Sequence, residues 1–133
     1  MPVTSSASSV KRWPNAESVM AAARAWAVEL AAGDEAIIAV GCFGSYAQGV
    51  AGFGSDLDFV LIRRREAGAF DRRGAAVETL PVPADVLVYD VDAWRRLQAD
   101  DRRMARVLRS ETLWLYGSPP ETAPVGNTAG NDA

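Results

Sequence analysis

The fold is decided by the stretch Gly41-Cys-Phe-Gly-Ser-Tyr-Ala-Gln-Gly-Val-Ala-Gly-Phe-Gly-Ser-Asp-Leu-Asp-Phe-Val-Leu-Ile62. An apolar run that begins near residue 36 ends here at Gly44-Ser45, and a glycine-rich passage follows. The sequence Ser55-Asp56-Leu57-Asp58 then opens a second apolar run. Continuous apolar runs of this length, bounded by turn residues, are typical of buried strands. The stretch therefore predicts two buried strands joined by a glycine-rich connection.

The second strand begins with two carboxylates. Asp56 and Asp58 are two residues apart in an extended segment, so their side chains point to the same side of the sheet, with about 6.5–7 Å between the Cα atoms. Like charges at this distance are costly unless a cation lies between them. The Gly44-Ser45 corner upstream offers free backbone N–H groups to an anion. An anion cradle beside a carboxylate pair is what a metal–nucleotide complex requires.

Length and composition indicate one soluble globular domain. The chain has 133 residues, of which 49% are hydrophobic and 23% charged, which is an ordinary globular profile. Its 14 basic and 17 acidic residues give a formal net charge of −3. This balance argues against a protein that binds nucleic acid strongly through its overall charge.

The single cysteine and the lack of long apolar segments indicate a cytoplasmic protein. One cysteine allows no internal disulfide and is typical of a reducing compartment. No apolar run reaches membrane-spanning length, and the first residues lack the apolar core of a signal peptide. We therefore expect no association with a membrane.

The absence of histidine excludes several classes of enzyme. The chain contains no histidine, so Ser-His-Asp and Cys-His catalysis and a histidine zinc site are impossible. One cysteine cannot form a thiolate metal site either. Acid–base chemistry must therefore use Asp, Glu, Tyr or Lys, and any metal must have oxygen ligands, which suit Mg²⁺ or Mn²⁺.

The order of helices and strands predicts an α/β or α+β domain, with a small mixed sheet and helices mainly on one face. Residues 1–14 are predicted to be a flexible N-terminus, 15–117 the folded domain and 118–133 a disordered tail. The predicted elements are a helix over 15–33 with Asn15 as its N-cap, a strand over 36–43, a short helix over 45–49, a strand over 57–62, a weakly helical connection over 68–79, a strand over 84–89, a helix ending at 97, a helix over 102–110 and a strand over 112–116.

A third carboxylate begins the next strand. If the strand over 84–89 lies beside that over 57–62, Asp85 comes next to Asp56 and Asp58. Three converging carboxylates can hold two cations about 3.5–4 Å apart. Asp56 and Asp58 would then chelate both ions, while Asp85 would complete the second site and draw a proton from an incoming hydroxyl.

The arginines are expected to form solvated faces, and Cys42 is expected to serve packing. Three of these arginines fall on one face of the predicted helix over 102–110, where an acidic partner could meet them. The arginines expected on solvated faces are those at 63–65, 72–73, 102, 103, 106 and 109. The three on one face of the predicted helix are Arg102, Arg106 and Arg109.

These motifs together resemble the signature of the minimal nucleotidyltransferases, which belong to the DNA polymerase β-like nucleotidyltransferase superfamily. The motifs are Gly44-Ser45-x-x-x-Gly49, then Ser55-Asp56-x-Asp58, then Asp85 on a later strand. Gly-Ser or Asp-x-Asp alone is a weak signal, whereas the combination is specific. The resemblance covers about residues 36–117 and implies the palm-like fold of that superfamily.

The resemblance implies a role for each matching residue. Gly44 and Ser45, with Ser55, would hold a nucleoside triphosphate, expected to be ATP. The three aspartates would be the catalytic metal ligands for one or two Mg²⁺ ions, with Mn²⁺ as a substitute. Many relatives carry arginine where this chain has Gln48, which removes a cation near the phosphates. This departure either lowers activity or leaves charge neutralisation to an arginine elsewhere.

The resemblance also implies a partner. Relatives that modify antibiotics or nucleic acid ends carry a further helical domain for the acceptor, and this chain has no room for one. Stand-alone domains of this size, the MntA-like antitoxins, are often encoded beside a HEPN-domain toxin and can attach AMP to its tyrosine. That activity is the leading hypothesis. The alternatives are a non-catalytic module that neutralises a partner protein, and a nucleotidyltransferase that acts on the hydroxyl of a small molecule.

Overall fold

A four-stranded mixed sheet with helices makes up the part of the protein that the structure describes. The computed structural model describes residues 13–120. Its elements, in chain order, are α1 (Ala16–Gly33), β1 (Ile37–Phe43), α2 (Ser45–Gln48), β2 (Leu57–Arg63), a single 3₁₀ turn (Val77–Thr79), β3 (Ala84–Asp90), α3 (Val91–Leu97), α4 (Arg103–Glu111) and β4 (Leu113–Gly117).

Helix α1 begins and ends where its sequence predicts. The side chain of Asn15 accepts a hydrogen bond of 2.8 Å from the Ser18 backbone N–H, which satisfies one of the N–H groups left free at a helix start. The helix ends at Gly33. Its buried residues recur at helical spacing and form one face, and they are Val19, Met20, Ala23, Trp26 and Ala27.

The sheet has the strand order β3-β2-β1-β4. Strand β1 pairs antiparallel with β2 and with β4, whereas β2 pairs parallel with β3. This mixed pairing confirms the fold class predicted from the sequence. It also makes β2 a central strand, with the end of β1 on one side and the start of β3 on the other.

Helices cover both faces of the sheet, whereas the sequence predicted them mainly on one. Helix α1 covers one face, and Trp94 of α3 and Leu108 of α4 cover the other. The reason is that β1 and β2 are apolar on both faces, so each face must be shielded from water. On β2, Leu57, Phe59 and Leu61 belong to the α1 side, and Val60 and Ile62 to the opposite side.

The connection between β2 and β3 differs from the prediction. The weakly helical piece expected over 68–79 is a series of turns that ends in the 3₁₀ turn Val77–Thr79. Arg63, expected on a solvated face, is only 7% exposed. Its guanidinium binds the Asp34 carboxylate at 3.0 Å and donates to the Gly68 carbonyl at 2.7 Å. A buried arginine is tolerated because these partners satisfy its charge and N–H groups.

The arginines of α4 are engaged by the chain itself. Arg102 pairs with Asp100, and Arg106 donates to the Asp101 carbonyl. Arg109 donates to the carbonyls of Leu97 and Asp100. These contacts tie the loop after α3 to α4, and a contact of this face with an acidic partner stays a prediction.

The predicted terminal segments lie mostly outside the described part of the chain. This holds for residues 1–12 of the expected flexible N-terminus and for 121–133 of the expected tail, and the domain boundaries stay predictions. Trp13 is described, and its Nε1–H donates to the Tyr46 hydroxyl at 3.3 Å. Between residues 13 and 120, no helix combines the length and the apolar character needed to cross a bilayer.

Candidate active site

The pairing of β2 with β3 brings two of the predicted carboxylates together. Asp58 is aligned with Asp85 in the parallel register. Neighbouring strands lie about 4.8 Å apart, and aligned residues point to the same face. Asp56 precedes β2 by one residue and is exposed, as is Asp85, whereas Asp58 is half-buried. The expectation that the strand of Asp85 lies beside that of Asp58 is confirmed.

The Gly44-Ser45 corner lies directly against the Asp58 carboxylate. Phe43, the last residue of β1, is aligned with Asp58, so the chain turns immediately beside this side chain. Gly44 has φ 83° and ψ −157°, a region that is essentially restricted to glycine. A Cβ atom at this position would lie 2.5 Å from Asp58 Oδ2. The corner can approach the carboxylate only because residue 44 has no side chain.

Helix α2 follows the corner as a single turn. Its N-cap is Gly44, so no side chain occupies the N–H groups at its start. Tyr46 is buried in the core beneath α1. Gln48 is exposed, and its Nε2 donates to Glu111 Oε1 at 2.6 Å. The position where many relatives carry an arginine is therefore occupied here by a neutral amide bound to an acid.

Ser55 closes the turn that leads into Asp56. Its hydroxyl oxygen accepts a hydrogen bond from the Gly52 N–H at 2.9 Å, and its own N–H donates to the Gly52 carbonyl at 3.0 Å. The hydroxyl proton remains available to a ligand. The observed contacts give Ser55 a role in shaping the loop, and its role in nucleotide binding stays a prediction.

The electrostatics of the carboxylates favour a cation. Burial raises the pKa of Asp58, and the charges of Asp85 and Asp56 raise it further. Within residues 13–120, none of the three takes part in an ion pair. Burial also raises the pKa of the Cys42 thiol to about 11, and the charge of Asp58 adds to the effect. This buried thiol fits the packing role predicted for it.

The atoms that the three carboxylates offer as ligands are of the type that binds a divalent cation. They offer only oxygen ligands, as Mg²⁺ and Mn²⁺ prefer, and a bound cation would offset the repulsion that raises the pKa of Asp58. No three acidic or cysteine side chains between residues 13 and 120 already form a cluster of metal-binding geometry. Asp58 and Asp85 are aligned, and the third ligand would come from the exposed Asp56. The metal role of the three aspartates stays a prediction.

A cleft of about 530 Å³ borders Asp58 and Asp85. Its lining includes Arg72, one of the arginines expected on solvated faces. The Arg72 guanidinium donates to the Val86 carbonyl at 3.0 Å and lies 6.0 Å from the centre of the Phe70 ring. No motif spacing points to this residue. The available signal was the long connection before β3, because long loops next to a site often carry function. The main apolar side chains of the cleft are Phe43, Phe70, Val77, Leu87 and Met104.

Comparison with known proteins yields one family. The model of the family described as nucleotidyltransferase domain matches residues 29–117. No curated protein sequence matches the chain significantly.

Two of the solved structures that match this chain illustrate the common fold. One is a toxin–antitoxin crystallised with AMP-PNP, 19% identical, with a TM-score of 0.51, covering 71% of this chain and 73% of that one. The other is a protein from Sulfolobus solfataricus assigned to the nucleotidyltransferases, also 19% identical with a TM-score of 0.51, covering 83% and 90%. At this identity the likenesses show a common fold.

Proposed function

Because the chain belongs to the nucleotidyltransferase domain family, we propose that it transfers AMP from ATP to a hydroxyl of a partner protein. The observation that carries this proposal is the meeting of three sequence motifs at one point. The Gly44 corner touches Asp58, and Asp58 is aligned with Asp85. In a chain without histidine, carboxylates are the natural groups for this chemistry.

Each residue has a distinct part in the proposed reaction. Gly44 and Ser45 hold the triphosphate through the amides of the corner and the Ser45 hydroxyl. Asp56, Asp58 and Asp85 would hold Mg²⁺, which when bound would neutralise developing charge on the phosphates. The acceptor oxygen forms a bond to the α-phosphorus, the bond from that phosphorus to the bridging oxygen breaks, and pyrophosphate leaves. Asp85 takes the proton of the hydroxyl.

We propose a HEPN-domain toxin as the partner and one of its tyrosines as the acceptor. This part follows the resemblance to the minimal nucleotidyltransferases, in which the transferase is the antitoxin. It is supported by the common fold with a toxin–antitoxin crystallised with AMP-PNP. If the chain instead neutralised its partner by binding alone, the three carboxylates would be dispensable for protection.

Mg²⁺ and ATP together should stabilise the fold. A ligand that binds only the native state at a hundredfold excess over its Kd adds about 2.7 kcal/mol to the free energy of unfolding. The double variant Asp56→Asn/Asp58→Asn should lose this gain and stay folded. Thermal unfolding with Mg²⁺-ATP, with ATP in EDTA and without ligand measures the difference.

The matched control for this measurement is Asp101→Asn, which removes an exposed carboxylate outside the site. It should respond to Mg²⁺-ATP as the wild type does. Equal shifts in the wild type and the double variant would show that the metal–nucleotide complex binds elsewhere.

Ser45→Ala should weaken nucleotide binding by about 1–3 kcal/mol, the range for a hydrogen bond to a charged group. Calorimetry with a non-hydrolysable ATP analogue and Mg²⁺ measures the change. Ser110→Ala is the control, because Ser110 donates to a backbone carbonyl on the exposed surface of α4. Unchanged affinity in Ser45→Ala would mean that the triphosphate does not reach the corner.

A further inference from the structure

The cleft extends from Asp58 toward β3, whereas the Gly44-Ser45 corner follows the end of β1. The strand order puts β1, which ends at the corner, on one side of β2, and β3 on the other. Most of the residues that line the cleft belong to β3 and to the connection before it, and Phe43 of β1, Asp58 of β2 and Met104 of α4 complete the lining. Neither Gly44 nor Ser45 contributes to it, so a triphosphate held by these two residues would leave the part of the cleft along β3 free. Its volume of about 530 Å³ lies within the range of ligand sites.

We propose that this cleft is the acceptor subsite and that it takes a tyrosine side chain flanked by an acidic residue. The inference rests on the proposed transferase function and specifies its acceptor. Two features select this occupant, namely the apolar walls and the guanidinium of Arg72. Asp58 and Asp85, which also line the cleft, supply the reacting surface.

The walls suit an aromatic ring better than a polar chain. Phe43 and Phe70 face the cleft, and Met104 lines it while 48% exposed. Aromatic side chains bury large apolar areas and gain from ring contacts, and the methionine thioether adapts to a ring edge. A phenol presents an apolar body to such walls and carries at its tip a hydroxyl, which suits the carboxylates of Asp58 and Asp85 in the same lining.

Arg72 selects the residue beside the tyrosine. Its guanidinium is anchored by the Val86 carbonyl at 3.0 Å. Among residues 13–120 it forms no ion pair with a carboxylate. Only part of its five N–H groups is used by the carbonyl, and the rest suit a carboxylate. An acidic residue next to the acceptor would meet this charge.

The reaction in the cleft balances without a further reactant. The phenol oxygen bonds to the α-phosphorus of ATP, and the bond to the bridging oxygen of the pyrophosphate breaks. The phenol proton passes to Asp85 and then to solvent. The products are a tyrosine carrying AMP and free pyrophosphate.

Two synthetic peptides test the selection by Arg72, one with tyrosine between glutamates and one with tyrosine between lysines. The wild type with Mg²⁺ and α-labelled ATP should label the acidic peptide about fivefold faster, the scale of an exposed ion pair. The net charge of −3 would by itself favour the basic peptide, so this preference needs a local cation. Arg72→Glu should reverse it, Arg72→Lys should keep it, and the neighbouring Arg73→Glu should leave it unchanged.

Met104→Trp tests the location of the subsite. The larger side chain should fill the cleft from an exposed wall and reduce labelling of the acidic peptide at least tenfold, while affinity for the ATP analogue by calorimetry stays at the wild-type value. Loss of nucleotide affinity would instead assign the cleft to the nucleotide and overturn the proposal. So would a peptide preference that Arg72→Glu does not change.

A wild-type protein that labels neither peptide would also contradict the acceptor proposal. Pyrophosphate release in the same reactions then separates the two claims. Release that disappears in Asp58→Asn keeps the transferase function and rejects only this acceptor. No release in the wild type would reject both.

Discussion

Asp58→Asn should reduce nucleotidyl transfer by about a thousandfold or more. Asp58 joins the carboxylates to the Gly44-Ser45 corner, because it is aligned with Asp85 and lies against Gly44. Removing its charge removes a metal ligand, and metal stabilisation of a phosphoryl transition state is worth several kcal/mol. Each 1.36 kcal/mol is a factor of ten in rate. Labelled AMP on the acceptor, counted over time, measures the loss.

The fold of Asp58→Asn should survive, which separates this effect from unfolding. The substitution keeps the size of the side chain and removes a carboxylate whose pKa is raised by burial and by Asp85 and Asp56. In metal-free protein we therefore expect a melting temperature at or above that of the wild type. Asp101→Asn should keep full activity. An active Asp58→Asn protein would contradict the assignment of this carboxylate to the site.

Gly44→Ala should destabilise the protein by about 3 kcal/mol. The backbone at Gly44, φ 83° and ψ −157°, costs a residue with a side chain on the order of 1–3 kcal/mol. The added Cβ would also lie 2.5 Å from Asp58 Oδ2, so either the corner or the carboxylate must move. Nucleotide affinity should fall with stability, because both groups belong to the site. Urea unfolding gives the first quantity and calorimetry the second.

Gly49→Ala separates backbone strain from the contact with Asp58. Gly49 also has a positive φ, 78°, but a Cβ there would meet no atom within 4 Å. It should cost about 1–2 kcal/mol, the price of a left-handed residue, and leave nucleotide affinity intact. If the two variants were equally stable and equally able to bind nucleotide, the corner would not depend on its approach to Asp58.

Local patterns predicted most of the fold. Asn15 was recognised as the N-cap of α1, and the structure shows its side chain in that role. The strands and their order in the chain followed from apolar runs bounded by glycine and proline. The proximity of Asp85 to Asp58 was also predicted, on the condition that their two strands are neighbours in the sheet. The register Asp58 with Asp85 confirms that expectation.

Features that depend on distant partners were not predicted. Arg63 belongs to a run of three arginines, and only the fold brings Asp34 and the Gly68 carbonyl to it. Arg72 likewise acquires its place at the Val86 carbonyl through the course of the connection before β3. A sequence pattern gives the charge of such side chains but not their partners, since the partners come from other elements. The helices on both faces of the sheet follow from β1 and β2, whose apolar side chains point to both faces.

Mass spectrometry of a toxin partner coexpressed with this protein tests the central claim most directly. The account predicts that the partner gains the mass of AMP on a tyrosine with the wild type and remains unmodified with Asp58→Asn, although both proteins are folded. Proteolytic fragments locate the modified residue, and Asp101→Asn should modify it as the wild type does. A partner that is neutralised equally by the wild type and Asp58→Asn, and that carries no added nucleotide, would contradict the account.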